Sequence, residues 1–412
     1  MIRGTTAAGL ALACLGLAGS AAVAASGSAG GAVLAAGDVR GTPAAAVHAP
    51  VSRADVARMQ QSIERLVSQG HFMGSVLVAQ GVRVLLDRGY GSADLELDVP
   101  DTPRTKFLLG SVTKQFTVAA ILLLQQRGRL KISDPIKDYL IDAPPAWDSI
   151  TIFDLLTHTS GIPSYSNLPD FDSTKALPAS PQQLLDRFRD QPLQFAPGTA
   201  WRYSNSGYAL LGYLIERISG QSYAQFIQRN IFDPLGMKDS GYGSNAAIIP
   251  RRARGYTPGP DGAPVNADYI DMSVPYAAGG LYSTTADLLR WEQGLYGGKL
   301  LSAASLQQMT TPFMNDYALG LMVRRTPDGQ KIFTHGGAIY GFNCDVSYAQ
   351  AQKLSVIVLA NLNGPAAQLI GASLMQIALH QQLPASPGAP LPAFAPSAQS
   401  TQPPEPPEPL SD

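Results

Sequence analysis

The stretch Ser111-Val112-Thr113-Lys114, running on into the apolar segment Phe116 to Leu124, decides how this chain is read. The apolar segment is too long for an ordinary strand and stops at Gly128, so it predicts a buried helix from about Ser111 to Arg127. On a helix, positions three apart share a face, which places Lys114 beside the Ser111 hydroxyl. A serine hydroxyl is a poor nucleophile until a base takes its proton. Desolvation and neighbouring cations lower the pKa of a buried lysine, which fits it to be that base. A helix N-terminus also favours negative charge developing near Ser111. The spacing arises by chance in long chains, but of the nine lysines only Lys114 has a serine three residues before it. A lysine one turn into an otherwise apolar helix is costly without a function or a partner.

Two later patches extend this reading. Tyr-Ser-Asn occurs twice, at Tyr165-Ser166-Asn167 and Tyr203-Ser204-Asn205. Tyr203 follows the turn signal Pro197-Gly198 and precedes a helical apolar stretch, Gly207 to Ile215, that ends near Gly220. A Tyr and an Asn on a loop just before a helix project together into a cleft. Tyr165 lies among Gly161, Pro163, Asn167 and Pro169, which predicts a plain surface loop. The Tyr203 phenol suits proton relay, and the Asn205 amide suits holding a substrate carbonyl while touching Lys114. The alternatives are a core aromatic for Tyr203 and a helix N-cap for Asn205. The third patch, His335-Gly336-Gly337, follows the strand-like run Lys331 to Thr334. Glycines in a strand let another backbone come close, which suits a cleft where a main-chain N–H faces an oxyanion; a bulge or hairpin turn is the competing reading.

Taken together and in this order, the three patches resemble the catalytic segments of the class C β-lactamase and D-alanyl-D-alanine carboxypeptidase superfamily, which also contains esterases and D-amino-acid peptidases. The resemblance runs from about Met73 to His380. It includes Leu155 to Ile162, Pro197-Gly198, Pro234-Leu235-Gly236-Met237 and Gly279 to Thr284. It implies that Ser111 is acylated, that Lys114 is its base partner, that Tyr203 is the general acid/base and that Asn205 holds a substrate carbonyl. It implies an oxyanion hole made by the N–H groups of Ser111 and Ala338, with His335 standing where the family has Lys or His. Gly336 and Gly337 complete the substrate-binding strand, and Trp201 and Tyr340 either line the cleft or pack in the core. Two departures stand out: Tyr-Ser-Asn and His-Gly-Gly replace the Tyr-Ala-Asn and Lys-Thr-Gly usual in the β-lactamases proper. Histidine is largely neutral near pH 7, and Gly336 offers no hydroxyl to a lactam carboxylate. Both changes favour the peptidase and esterase branches.

The rest of the chain sets the frame. With 412 residues and 45% hydrophobic content it can bury a large core, and its net charge of −1 gives no argument for nucleic acid. Residues 1–25 read as a secretory signal: Arg3 is positive, Ala7 to Leu17 is apolar, and Ala22-Val23-Ala24 is a cleavage site. The expected location is therefore periplasmic or secreted, with no stable membrane span after cleavage; lipid attachment at Cys14 is the weaker alternative. Loss of Cys14 leaves Cys344 as the one thiol, so no internal disulfide is expected. Residues 26–50 read as an Ala/Gly-rich linker, 51–382 as the hydrolase domain, and 383–412 as a disordered tail holding ten of the 32 prolines.

Within the domain, Ser52 to Gly70 reads as a helix with capping-box spacing at Ser52 and Asp55. Gly74–Gln80 and Val82–Gly89 read as a strand hairpin around Gly81. Strands return at about Ala318–Arg325, Lys331–Thr334, Asn343–Tyr348 and Lys353–Leu359, and a last helix spans Pro365 to Gln381. Strands at both ends with helices between predict an α+β fold of the β-lactamase/transpeptidase type: an antiparallel sheet flanked by helices, plus a mostly helical subdomain. Neither a Gly-x-Ser-x-Gly elbow nor His-Glu-x-x-His is present, and the five histidines are scattered, so no metal or other cofactor is expected. His158 reads as a loop-stabilising side chain. The expected partner is a small-molecule or peptide substrate. The expected activity is acyl-enzyme hydrolysis of a D-amino-acid peptide, ester or related acyl group, with a β-lactamase or a non-catalytic peptidoglycan-fragment binder of the same fold as alternatives.

Overall fold

The computed structural model describes residues 50–381 apart from residue 141. The expected signal, nearly all of the linker and the Pro-rich tail lie outside the described residues. The strands of the main sheet are β1 (Gly74–Gln80), β2 (Arg83–Tyr90), β3 (Met322–Arg325), β4 (Lys331–Ile339), β5 (Phe342–Ala349) and β6 (Leu354–Ala360). They lie in the order β3-β4-β5-β6-β1-β2 and every neighbouring pair is antiparallel. The two ends of the chain meet where Gly74 of β1 stands opposite Ala360 of β6. This is the expected α+β fold, with a sheet assembled from both termini.

Strand side chains alternate between faces, and the two faces of the sheet are covered differently. On one face Val76, Val78, Val356 and Val358 pack against helix α1 (Arg53–Ser68) through Met59 and Ile63, and against the C-terminal helix (Ala366–Leu379) through Ile370 and Leu374. The capping box expected at Ser52 and Asp55 is formed. On the other face Leu77, Ala79, Ile357 and Leu359 join the larger core, which continues into the helical half. The centre of that half is helix α2 (Thr113–Gln126), where every residue from Thr113 to Leu124 is buried. A helix apolar on all sides needs cover on all sides. Phe116 stacks on Trp291 at 4.1 Å between ring centroids, and Gln115 accepts a hydrogen bond from the Trp291 indole at 3.0 Å. Among the described residues no helix is long and apolar enough to cross a membrane.

Three expectations on local structure are corrected. Ala318 to Leu321 is not strand; β3 starts at Met322. The strand expected to stop at Thr334 runs to Ile339, so His335-Gly336-Gly337 lies inside β4 and not after it. Glycine weakens strand propensity, but the β5 ladder pairs each of these residues and overrides it. Tyr165 is not on a plain surface loop: it is buried, and its hydroxyl donates to the Val274 carbonyl at 2.6 Å.

Candidate active site

The nucleophile turn is held between two sheets. Phe107–Leu108 pairs with Leu281–Ser283, and Leu109 N–H donates to the Leu281 carbonyl at 2.9 Å. Gly110 follows with φ +50°, and Gly110–Val112 forms a 3-10 turn that leads into α2. Ser111 thus sits in a tighter turn than the regular helix expected, but still one turn before Lys114. A side chain at Gly110 would place its Cβ 2.8 Å from both N and O of Ala338. At Gly337 the clash is worse, with a Cβ 2.0 Å from the Leu109 carbonyl oxygen. Two glycines therefore let the Ser111 turn dock against β4. We expect Gly337→Ala to force the two backbones apart, at a cost of about 1–3 kcal/mol in chemical denaturation, the usual scale of overpacking. Acylation of Ser111 should fall with it, and a variant as stable and as active as wild type would contradict this docking.

The ladder also fixes where the β4 amides point. Thr326 N–H donates to the Gln330 carbonyl at 2.9 Å, and Gln350 N–H donates to that of Lys331 at 3.1 Å. Even-numbered β4 residues therefore turn their peptide groups toward β3, and odd-numbered ones toward β5. β3 ends with Met322 opposite Thr334. Ala338 lies beyond that end, so its N–H stands on an edge with no strand beside it, next to the Gly110–Ser111 turn. Ser111 N–H opens the turn, where helical amides have no intrahelical acceptor.

Lys114 is fully buried. Its Nζ lies 3.1 Å from Ser111 Oγ, 2.9 Å from Asn205 Oδ1 and 2.8 Å from the Ala278 carbonyl oxygen. It also lies 4.7 Å from the ring centroid of Tyr203 and 5.3 Å from that of Tyr208. Burial pushes its pKa well below the usual lysine range. The Ala278 carbonyl has no sequence signal of its own, although it adjoins Gly279-Gly280 of the family-like segment. That carbonyl belongs to a single helical turn, Tyr276–Gly279, entered through a strained Tyr276 at φ +40°.

Asn205 opens helix α3 (Asn205–Ser219). Its backbone N–H donates to Ser164 Oγ and its Nδ2 to Ser166 Oγ, both at 3.0 Å. The look-alike segment Tyr165-Ser166-Asn167 thus serves as a bracket for Asn205, a role with no sequence signal. Tyr203 is buried with its hydroxyl near Ser111 but closes no hydrogen bond. Burial raises its pKa, and the Ser111 hydroxyl pulls the other way. His158, at φ +62°, packs its ring 4.2 Å from that of Tyr203 and accepts a hydrogen bond from Ser204 N–H at 3.1 Å. This is the loop-stabilising position expected of it.

His335 is buried and engaged at both ring nitrogens: Nδ1 lies 2.5 Å from the Gly336 carbonyl oxygen and Nε2 lies 3.3 Å from Tyr317 Oη. Burial, with the Lys114 charge in second place, lowers its pKa to about 3. Lowering the pH toward 6 therefore does not turn His335 into a cation for a substrate carboxylate. Tyr317, 18 positions before His335, had no sequence signal. Trp201 lies beside it, 5.8 Å between ring centroids, with its indole N–H buried and without a hydrogen-bond acceptor. Tyr340 forms the β4–β5 turn and is covered by Lys175 Nζ, 4.4 Å from the ring centroid.

A buried lysine on a serine, a phenol beside them and a strand-edge amide opposite define the serine hydrolase class of β-lactamase/transpeptidase fold. The comparisons agree: the β-lactamase family model matches residues 59–379, and the chain belongs to that family. It is 31% identical to penicillin-binding protein 4* of Bacillus subtilis over 325 residues, which is 74% of this chain and 71% of that protein. Among solved structures, a penicillin-binding protein from Bacillus halodurans is 27% identical, with TM-score 0.67, covering 76% of this chain and 97% of that one. A D-stereospecific amidohydrolase from Streptomyces is 25% identical, with TM-score 0.66, covering 78% and 98%.

Proposed function

We propose that this protein is an exported serine hydrolase that works through an acyl-enzyme on a D-amino-acid peptide, ester or related acyl substrate. The observation that carries the reading is the surroundings of Lys114 Nζ. A neutral amine has two N–H donors, and here two acceptors, Asn205 Oδ1 and the Ala278 carbonyl, take them. Its lone pair is left for the third neighbour, the Ser111 hydroxyl at 3.1 Å. Burial favours that neutral form. Ser111 attacks the carbonyl as Lys114 takes its proton, and the N–H groups of Ser111 and Ala338 stabilise the tetrahedral oxyanion. Tyr203, a neutral phenol because burial raises its pKa, hands a proton to the leaving group and is reprotonated with the proton Lys114 took from Ser111. Water then releases the acid by the reverse route. Asn205 keeps one Nδ2 hydrogen for a substrate carbonyl after bonding Ser166. Export rests on the N-terminal signal pattern. The D-amino-acid preference is supported by the likeness to the Streptomyces D-stereospecific amidohydrolase.

The β-lactamase reading is disfavoured by His335 and Gly336. A lactam carboxylate would meet a neutral, fully engaged imidazole and no hydroxyl at position 336. Each missing charge-assisted bond is worth about 1.5–3 kcal/mol, or roughly one to two powers of ten in rate. The test is turnover of a D-Ala-D-Ala peptide, a short-chain p-nitrophenyl ester and a chromogenic cephalosporin at pH 8 and pH 6. We expect the ester or the peptide to exceed the cephalosporin in kcat/KM at both. The ratio should not shift toward the cephalosporin at pH 6, because His335 stays neutral there. A cephalosporin value equal to or above the other two makes antibiotic hydrolysis the better assignment.

A further inference from the structure

Four contacts run in line from the Tyr203 loop to β4. Ser204 N lies 3.1 Å from His158 Nδ1, His158 Nε2 lies 3.1 Å from Tyr317 Oη, Tyr317 Oη lies 3.3 Å from His335 Nε2, and His335 Nδ1 lies 2.5 Å from the Gly336 carbonyl oxygen. The two ends leave no choice of direction. A backbone N–H only donates, so His158 Nδ1 accepts and carries no hydrogen. A backbone carbonyl only accepts, so His335 Nδ1 carries one. The neutral rings then hold hydrogen on Nε2 in His158 and none on Nε2 in His335. Tyr317 closes the line with one hydroxyl, accepting from His158 and donating to His335; Tyr208 Oη, which itself donates to the Leu156 carbonyl, is a second acceptor beside it. Every donor meets an acceptor, as a buried network requires. A proton added to His158 sets Nδ1–H against Ser204 N–H, and one added to His335 sets Nε2–H against the tyrosine O–H.

We propose that Tyr317 is a positioning residue of this site, whose hydroxyl locks His158 and His335 as neutral, opposite tautomers and so fastens the Tyr203 loop to β4. The catalytic part of this inference rests on the hydrolase reading above; the tautomer lock does not. The charged and titratable groups around the line are Lys114 from α2, Tyr203 ahead of α3 and Tyr208 on α3, together with the three members themselves. Burial acts first against a proton on either ring, and a proton on Lys114 adds to it whenever that amine is charged. Without the hydroxyl, His335 Nε2 loses its donor and is easier to protonate, although burial still opposes a cation on the strand that carries Ala338. Tyr317→Phe keeps the ring, and so its contacts with Trp201 at 5.8 Å and His158 at 4.8 Å.

The lock is read directly by 15N-edited NMR of the histidine rings in the wild-type chain between pH 5 and pH 8. We expect His158 as the Nε2–H tautomer and His335 as the Nδ1–H tautomer, with neither titrating. Titration of either ring near the ordinary histidine value, or the opposite tautomer, overturns the proposal whether or not the protein hydrolyses anything. The second measurement is Tyr317→Phe acting on a short-chain p-nitrophenyl ester. At pH 8 its kcat should fall about tenfold, the scale of one orphaned buried hydrogen bond, with KM little changed. The acid side of its pH profile should also shift to higher pH than in the wild type, because His335 Nε2 has lost the donor that opposes its protonation. A rate and pH profile matching wild type would overturn the positioning role. A wild type inactive on every acyl substrate defeats the hydrolase reading instead, and the NMR result still decides the lock.

Discussion

Ser111→Ala is expected to abolish covalent labelling by a fluorophosphonate or a penicillin and to stop acyl turnover, while thermal unfolding stays close to wild type. In the proposed mechanism the hydroxyl supplies the attacking oxygen, and alanine offers none. Its loss leaves Lys114 bonded to Asn205 and Ala278, so the buried amine keeps two of its three partners. Intact-protein mass spectrometry reads the labelling: wild type gains one acyl unit and the variant gains none. Near wild-type turnover in the variant would sink the assignment of Ser111. A wild type that is never labelled would favour a non-catalytic binding protein of this fold.

Tyr203→Phe is expected to lower kcat by roughly 10²-fold or more, the usual scale for a lost acid/base group, with the fold intact. The Tyr203 hydroxyl faces the Ser111 hydroxyl, which keeps Lys114 Nζ as a partner, so its removal strands no group. Tyr165→Phe gives the opposite pattern. Position 165 supports the fold, and the change orphans the buried Val274 carbonyl. That costs about 1–3 kcal/mol of stability and leaves kcat near wild type once the folded fraction is accounted for. Measuring kcat and denaturation on both variants separates chemistry from support. A large loss of kcat in Tyr165→Phe together with a near-normal Tyr203→Phe would reverse the assignment. On a surface loop the same substitution would be silent; the buried, bonded hydroxyl is what makes it costly.

Local chemistry alone placed Lys114 against Ser111, because three residues on a helical turn bring two side chains together whatever the rest of the chain does. It also identified both strand groups, since alternating apolar runs and turn residues act within a few positions. The Pro197-Gly198 turn and the helix after it set Tyr203 apart from Tyr165 for the same reason. Tertiary structure decided everything that depends on contacts across long stretches of chain. The Ala278 carbonyl reaches Lys114 across 164 positions, and Ser166 reaches Asn205 across 39. No pattern within a window of sequence carries such a contact. The same holds for the state of His335. In the sequence His335 is an ordinary histidine, largely neutral near pH 7; only burial beside Lys114 makes it far harder to protonate. Sequence determined which chemical groups this protein brings to its site; only the packed fold determined their protonation and what holds each in place, because desolvation and hydrogen-bond direction exist only once the neighbours have met.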